Sequence, residues 1–449
     1  MQLYTDQAVE AVLRPAEGRY LQTRYYLKEE GPALVTVGRG ENWSPLACKE
    51  VYAQAVRTAG ELERSACAAD LTAAAELGFP GLCAALEGLY GGGYKIRSAL
   101  TGDVEPEMAL YAQGEGFTPQ QLQAASEVAR SVIQARNLVN RPGNLLDPAG
   151  LAEALREMAE GLPVTAEIYG EEQLDRLGLQ ALLSVAKGGG GAYLAVLRYT
   201  GAPRSGVRLG FVGKGITCDT GGYCVKSGKS MAGMKGDMAG AAAAACALRA
   251  LAANGAKVNV TAVIPICANR ISREGTLPGD VIGSLSGKTI EVLNTDAEGR
   301  LILADGLTWA IEKEGCTHLV DIATLTGAIH AMLGNVATGV MAVGEDWYAR
   351  LTAAAEKSGE RFWRMPDFPE YEKLIDSPLA DVRNTSRDGC GAITAGLFLK
   401  RFTQGLPWMH LDIAGAADVT IPVWKHQVKG ATGAAVTTLY HLAADMEER

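Results

Sequence analysis

Short apolar runs alternate with helical patterns through most of the chain, and this alternation constrains the fold more than any other feature. Buried strands are predicted at 192–199, 208–212, 258–264, 288–293 and 318–322. Helices are predicted among and after them at 238–253, 301–313 and 391–403. Such alternation is typical of an α/β fold in which helices flank a parallel or mixed sheet. We therefore expect a C-terminal domain with a mixed central sheet flanked by helices.

The first 118 residues show the same alternation on a smaller scale. The apolar run 33–37 predicts a strand, and the Ala/Leu/Glu-rich stretch 66–77 predicts a helix. Thr118-Pro119 then opens a long helical pattern that stops at Arg141-Pro142. The predicted organisation is a smaller N-terminal α/β domain, a connecting helix and a larger C-terminal domain, with boundaries at 1–118, 119–140 and 141–449.

Charge and composition exclude several classes of protein. The net charge is −9, so the surface repels phosphate backbones and nucleic acid is an unlikely partner. The N-terminus, MQLYTDQAVE, resembles no signal peptide, and the longest apolar stretch is too short and too weakly apolar to span a bilayer. Nine scattered cysteines without a CxxC pair indicate free thiols. We expect a cytoplasmic protein that does not bind membranes.

Three glycine-rich segments hold the candidate chemistry: 213–222, 234–240 and 294–301. Only five histidines are present, so a metal site would depend mainly on other ligands. The first segment follows the predicted strand 209–212 and the third follows 290–293. Ligands bind at the carboxyl ends of strands in open α/β sheets, so both segments lie where active sites form.

The third segment has two interpretations. If Asp296, Glu298 and Arg300 are extended, their side chains share one face and could bind one or two divalent cations with an anion beside them. Alternatively, Thr295 and Glu298 form a capping box that opens the helix 301–313. The residues alone leave both interpretations open.

The other polar residues also have ordinary interpretations. Asp219 suits a turn, and Asp237 suits the N-cap of the alanine-rich helix. Lys214 and Lys226 would ordinarily be solvated surface lysines.

Taken together, the segments resemble one known family. The run Asn-Thr-Asp-Ala-Glu-Gly-Arg-Leu at 294–301, with Gly213-Lys214-Gly215 and Asp219-Thr-Gly-Gly, is similar to the signature motifs of the leucyl aminopeptidase (cytosol aminopeptidase) family. The resemblance covers about residues 135–445, and the first 118 residues match only in size and position. It implies an aminopeptidase that releases Leu-like or other apolar N-terminal residues from peptides.

The resemblance also implies a site and an assembly. Two divalent metal ions per subunit, zinc or manganese with magnesium as an alternative, would activate water. Their ligands would be Lys214, Asp219, Asp237, Asp296 and Glu298. Lys226 would polarise the substrate carbonyl, and Arg300 would hold a bicarbonate ion that acts as general base. The side-chain pocket would be lined by Met234, Thr324, Leu325, Gly327, Ala414 and Ala417. The subunits would form a homohexamer.

Three alternatives remain open. Cys218 and Cys224 flank the first metal loop, where they are either oxidation-sensitive or simply small buried hydrophobes. A DNA-binding role is disfavoured by the net charge of −9. A two-metal phosphatase is disfavoured because no additional cationic cluster is visible for phosphate.

Overall fold

Two large β-sheets organise the protein, whose computed structural model describes residues 2–3, 8–28, 31–96, 108–386 and 388–447. The strands of the first sheet are β1 Gln2–Leu3, β2 Ala11–Ala16, β3 Thr23–Tyr26, β4 Ala33–Gly38, β5 Ala66–Asp70 and β6 Ala109–Gln113. Their order is β1-β6-β5-β2-β4-β3, and every neighbouring pair is parallel except β3 with β4. The helices of this region are α1 Pro45–Glu61, α2 Thr72–Ala75 and α3 Gly78–Gly92.

The strand predicted at 33–37 is confirmed, and the helix predicted over 66–77 is right only at α2, Thr72–Ala75. Most of its first half is instead β5, a central strand in which Cys67, Ala68 and Ala69 are fully buried. Parallel strands of this kind are covered on both faces and have uniformly apolar sequences. Small side chains fit that position, and the resulting alanine-rich composition resembles that of a helix.

The predicted connecting helix is present as α4, Pro119–Asn140. Thr118 and Gln121 form a reciprocal capping box at its start. Its buried face joins helices of both regions in one hydrophobic core, to which α3 contributes Leu86 and α4 contributes Val128. The domain boundaries at 118 and 140 stay a prediction.

The remaining strands belong mostly to the second sheet. They are β7 Val164–Gly170, β8 Tyr193–Thr200, β9 Leu209–Gly213, β10 Gly215–Asp219, β11 Asn259–Asn269, β12 Val281–Ile282, β13 Ile290–Glu291, β14 His318–Ala323, β15 Thr338–Val343, β16 Phe362–Arg364, β17 Val382–Arg383, β18 Trp408–Asp412, β19 Asp418–Val419 and β20 Gly430–Ala431. Among the described residues the main sheet has the order β16-β15-β18-β14-β9-β11-β8-β7, and β10 pairs with the end of β11. The strands β18, β14, β9 and β11 are parallel, and β7, β8 and β15 pair in antiparallel fashion, so the sheet is mixed as expected.

Helices cover both faces of this sheet. They are α5 Pro148–Met158, α6 Glu171–Leu177, α7 Gln180–Ala186, α8 Gly228–Met231, α9 Ala239–Ala253, α10 Gly299–Glu312, α11 Gly327–Leu333, α12 Glu345–Ser358, α13 Pro369–Glu372, α14 Gly391–Lys400 and α15 Val436–Ala444, with 3₁₀ turns at Met234–Gly236 and Lys373–Ile375. Alternate residues of β11 enter different cores: Ala262 faces the core that contains α9, and Val263 faces the core that contains α10. The α/β fold class is therefore confirmed.

One predicted strand is largely wrong. Of 288–293, only Ile290–Glu291 is a strand, and it pairs with β12 and β17 in a separate three-stranded sheet. Leu293 donates its backbone N–H to the side-chain Oδ1 of Asn384 at 2.9 Å, and no strand among the described residues pairs with it. The third acidic segment therefore does not follow a strand of the main sheet.

Asp305 anchors α10, the helix that follows the third acidic segment. Its side chain is fully buried, and its two oxygens accept the backbone N–H groups of Leu182 at 2.9 Å and Leu285 at 2.8 Å. Burial raises the pKa of Asp305 to about 7, although the N–H donors act in the opposite direction. As pH rises, the unfolded chain, whose aspartate pKa is about 3.9, loses its proton first. Between about pH 4 and about pH 7 the native protein therefore still holds a proton on Asp305 that the unfolded chain has released.

Asp305→Asn is expected to weaken the dependence of stability on pH. In the parent protein, this residue's contribution to the free energy of unfolding falls as pH rises from about 4 to about 7, by up to about 1.4 kcal/mol per pH unit. An asparagine does not titrate and leaves one N–H without an acceptor, so the parent's advantage in melting temperature should be largest at about pH 4 and should narrow as pH rises towards 8. Asp381→Asn is the control, because its carboxylate accepts Thr289 N at 2.8 Å and has a lowered pKa. A difference for Asp305→Asn that is constant with pH would contradict the assignment.

Candidate metal centre

Lys214 interrupts a strand at the centre of the main sheet. β9 and β10 pair with successive parts of β11, and Lys214 lies between them with its side chain 4 % exposed. A Cβ atom at Gly299 would lie 2.5 Å from Lys214 Cε, so the lysine stem fits because a glycine opens α10. The interpretation of Lys214 as a surface lysine is therefore wrong.

Carboxylates surround the buried ammonium group. Lys214 Nζ lies 2.8 Å from Asp237 Oδ1 and 3.0 Å from Glu298 Oε1, and it donates to the Thr324 carbonyl at 3.0 Å. Burial opposes the charge on Lys214, but the nearby acids outweigh burial and raise its pKa. Asp237 is not an N-cap, because Met238 occupies that position without a side-chain hydrogen bond.

A second group of acids lies beside the first. Oxygen atoms of Asp219, Asp296 and Glu298 lie within 4.8 Å of one another. Asp219, the last residue of β10, does form the expected turn, since its Oδ1 accepts Gly221 N at 2.9 Å. Lys226 Nζ lies 2.9 Å from Asp219 Oδ2 and 2.6 Å from Asp296 Oδ1. Lys226 is therefore an ion-paired residue of the site.

The segment 294–301 is neither extended nor capped as the two interpretations require, although the metal-binding role stays a prediction. Ala297 N donates to Asn294 O at 3.2 Å to close a turn, and α10 begins at Gly299, so Asp296, Glu298 and Arg300 are not on one extended strand. The capping box is also absent: Thr295 Oγ1 donates to Gly221 O at 2.7 Å and accepts Cys224 N at 2.8 Å. The turn, held by these bonds to the first segment, brings Asp296 and Glu298 together.

The residues present suit a hard divalent cation. Burial raises the pKa of Asp237 to about 8 and also raises the pKa of Glu298, because charged carboxylates are poorly solvated there. Asp237 Oδ2 is buried without a hydrogen-bond partner in the described part of the chain. Carboxylate oxygens are ligands for Zn²⁺, Mn²⁺ and Mg²⁺. This unpaired oxygen and the three-carboxylate group are the features that a bound cation would satisfy.

Arg300 lies behind the acids on α10 and is 5 % exposed. Its Nη1 donates to Asn384 O at 2.7 Å, and its Nε has no partner among the described residues. Burial lowers the pKa of Arg300 to about 10. The unpaired Nε leaves one donor for an anion.

A cavity of about 490 Å³ opens over the acids. It lies where β9, β14 and β18 end, at the carboxyl edge of three adjacent parallel strands, as the rule for α/β sheets predicts for the first segment. Of the predicted pocket residues, five line it: Met234, Thr324, Leu325, Gly327 and Ala414. Ala417 is 3 % exposed and packs in the hydrophobic core instead. Ser230, His330 and Asp418 also line the cavity.

Two buried asparagines position the site and were missed from the sequence. Asn269 donates to Asp219 Oδ1 at 2.8 Å and to Thr295 O at 3.0 Å. Asn384 donates to Asn294 O at 2.7 Å and so helps to hold the third segment. A polar residue at the end of the otherwise apolar strand β11 was the signal that could have indicated Asn269.

Cys218 and Cys224 are half-buried, and neither forms a disulfide. Cys218 lies in β10 next to Asp219, and Cys224 lies in the loop before Lys226. Their redox role stays a prediction.

The α/β fold and this acidic, lysine-containing centre fit a metal-dependent hydrolase, and comparison with known proteins identifies the family. The model of the cytosol aminopeptidase family catalytic domain matches residues 133–440. A probable cytosol aminopeptidase of Alkaliphilus oremlandii (strain OhILAs) is 41% identical over 359 residues, which are 79% of this chain and 72% of that protein.

Two solved structures are similar to this chain over most of its length. The bottromycin maturation enzyme BotP in complex with Mn has a TM-score of 0.89 and 29% identity, covering 98% of this chain and 100% of that one. A mutant of tomato leucine aminopeptidase has a TM-score of 0.85 and 32% identity, covering 95% and 84%. The chain belongs to the cytosol aminopeptidase family and is a metallo-aminopeptidase. No helix in the described ranges is long and apolar enough to cross a membrane.

Proposed function

We propose that the protein releases apolar, Leu-like N-terminal residues from peptides by means of two divalent metal ions. The observation that carries this proposal is the group of Asp219, Asp296 and Glu298 oxygens within 4.8 Å, in the wall of a 490 Å³ cavity. One ion would be held by Lys214, Asp219, Asp237 and Glu298, and the other by Asp219, Asp296 and Glu298. When bound, such ions supply Lewis acidity and make water nucleophilic near neutral pH.

The chain's own residues then bind and orient the substrate. Met234 and Ala414 offer an apolar wall to the first side chain of the peptide. Lys226 carries an ammonium group at the cavity, where it would stabilise the negative charge that develops on the carbonyl oxygen. To do so it must exchange its contacts with Asp219 and Asp296 for the substrate.

Two further basic residues contribute to the charge of the site. Lys214 binds a metal only as a neutral amine, and the acids that now raise its pKa would be neutralised by the ions. Arg300 is proposed to hold a bicarbonate ion as general base, and its unpaired Nε supports this. We also propose a cytoplasmic homohexamer.

Metal removal tests the proposal. After chelation we expect turnover of leucine p-nitroanilide to be lost, and Mn²⁺ or Zn²⁺ to restore it, with Mg²⁺ as the alternative ion. The melting temperature should fall on chelation, because four carboxylates then face only two ammonium groups: Asp219, Asp237, Asp296 and Glu298 against Lys214 and Lys226. Turnover that survives complete metal removal, verified by elemental analysis, would refute the proposal.

A further inference from the structure

The chain between β18 and β19 places one acid on the wall of the cavity. Ala417 donates its backbone N–H to Ile413 O at 2.8 Å, an i to i+4 bond that closes a turn over residues 413–417. Asp418 follows this turn as the first residue of β19, where it pairs with Ala431 of β20. Ala414 and Asp418 both line the cavity, whereas Ala417 enters the core.

The carboxylate of Asp418 has no partner within the described ranges. It accepts no hydrogen bond and forms no ion pair there, and the residue is exposed. The nearest cations, Lys235 and Lys429, do not reach ion-pairing distance, and Lys235 Nζ donates instead to Asn140 O at 2.9 Å. The backbone of Asp418 is held, since its carbonyl accepts Asn335 Nδ2 at 3.3 Å. The wall therefore presents an unpaired carboxylate on a backbone that is held in place.

We propose that Asp418 makes peptides with an N-terminal lysine or arginine a second substrate class of this site. The inference rests on the proposed function, in which the first side chain enters this cavity. Lysine and arginine have apolar stems that pack along surfaces such as Met234 and Ala414, while their cationic ends seek a carboxylate. Asp418 is then a specificity-determining residue, and it takes no part in the hydrolytic step.

The test compares side chains that differ only in charge. On the manganese-loaded protein at pH 8, kcat/KM is measured for the p-nitroanilides of lysine and norleucine and for those of arginine and citrulline. In Asp418→Asn the ratio of kcat/KM for the lysine anilide to kcat/KM for the norleucine anilide should fall about fivefold. This is the size expected of a partly exposed ion pair, and turnover of the norleucine anilide should not change. Calorimetric binding of lysinamide should weaken by the same factor. The control is Asp346→Asn, an exposed acid on α12 outside the cavity.

The outcomes separate this inference from the proposed function. If the parent protein cleaves no aminoacyl anilide with metal present, the proposed function fails. If norleucine anilide is cleaved but the lysine-to-norleucine ratio is the same in the parent and Asp418→Asn, only the role of Asp418 fails. Asp418→Lys supplies a second check, because this variant should have a higher kcat/KM for the glutamyl anilide than for the lysyl anilide. If the lysyl anilide is still the better substrate, the inference is overturned.

Discussion

Asp219→Asn is expected to lower kcat/KM for leucine p-nitroanilide at least about a thousandfold and to reduce the bound metal. The variant should still fold, because an asparagine oxygen can accept the N–H of Gly221 and the amide of Asn269 as Asp219 Oδ1 does. Its amide nitrogen would replace the charged Oδ2 that lies 2.9 Å from Lys226 Nζ. A neutral amide is a poor substitute for a carboxylate that is proposed to bridge two cations.

The measurement pairs kinetics with metal content by elemental mass spectrometry after dialysis. Asp381→Asn is a matched control, because Asp381 also accepts a backbone N–H, that of Thr289, but lies outside the cavity. Full metal content and near-parental turnover in Asp219→Asn would rule out a ligand role for Asp219.

Lys226→Met is expected to reduce kcat by about a hundredfold to a thousandfold, with a smaller change in KM. The methionine keeps much of the apolar stem and removes the charge that would stabilise the carbonyl oxygen in the transition state. Metal affinity should be unchanged or higher, because the ammonium group that contacts Asp219 and Asp296 no longer competes with a cation.

The metal titration separates two roles for this lysine. If Lys226 only neutralised the acids, saturating Mn²⁺ would replace it and restore turnover in the variant. Lys229→Met is the control, since it removes an exposed lysine on α8 in the same loop that does not line the cavity. Restoration of parental kcat by metal would show that Lys226 takes no part in the reaction.

The fold could be predicted well where packing demands a continuous apolar run. The central strands β9, β11 and β14 begin within one residue of their predicted starts for this reason. Prediction failed at 66–70, where a helix was expected, because alanine is found both in crowded buried strands and in helices. It failed at 288–293 because the parallel partner of Ile290–Glu291 is Val382–Arg383, about ninety residues later in the chain.

Some features of the site could be predicted from the sequence and others could not. The acidic segments and their family resemblance were visible in the sequence, because metal chemistry needs particular residue types at close spacing. The burial of Lys214 was not visible, since the acids that compensate it, Asp237 and Glu298, come from two other segments. Ala417 was expected in the pocket and Asp418 was not considered there. Ala417 ends the turn after β18 and packs into the core, whereas Asp418 begins β19 and lines the cavity.

The position of Asp418 at the start of β19 has a consequence for how enzymes of this kind diversify. The proposed metal ligands follow β9, end β10 or precede α9 and α10, whereas Asp418 pairs with Ala431 in the separate two-stranded sheet of β19 and β20. If the proposed roles hold, selectivity and hydrolysis belong to separate stretches of chain. Replacing the segment 414–418 would then change the preferred substrate and leave the proposed metal ligands in place.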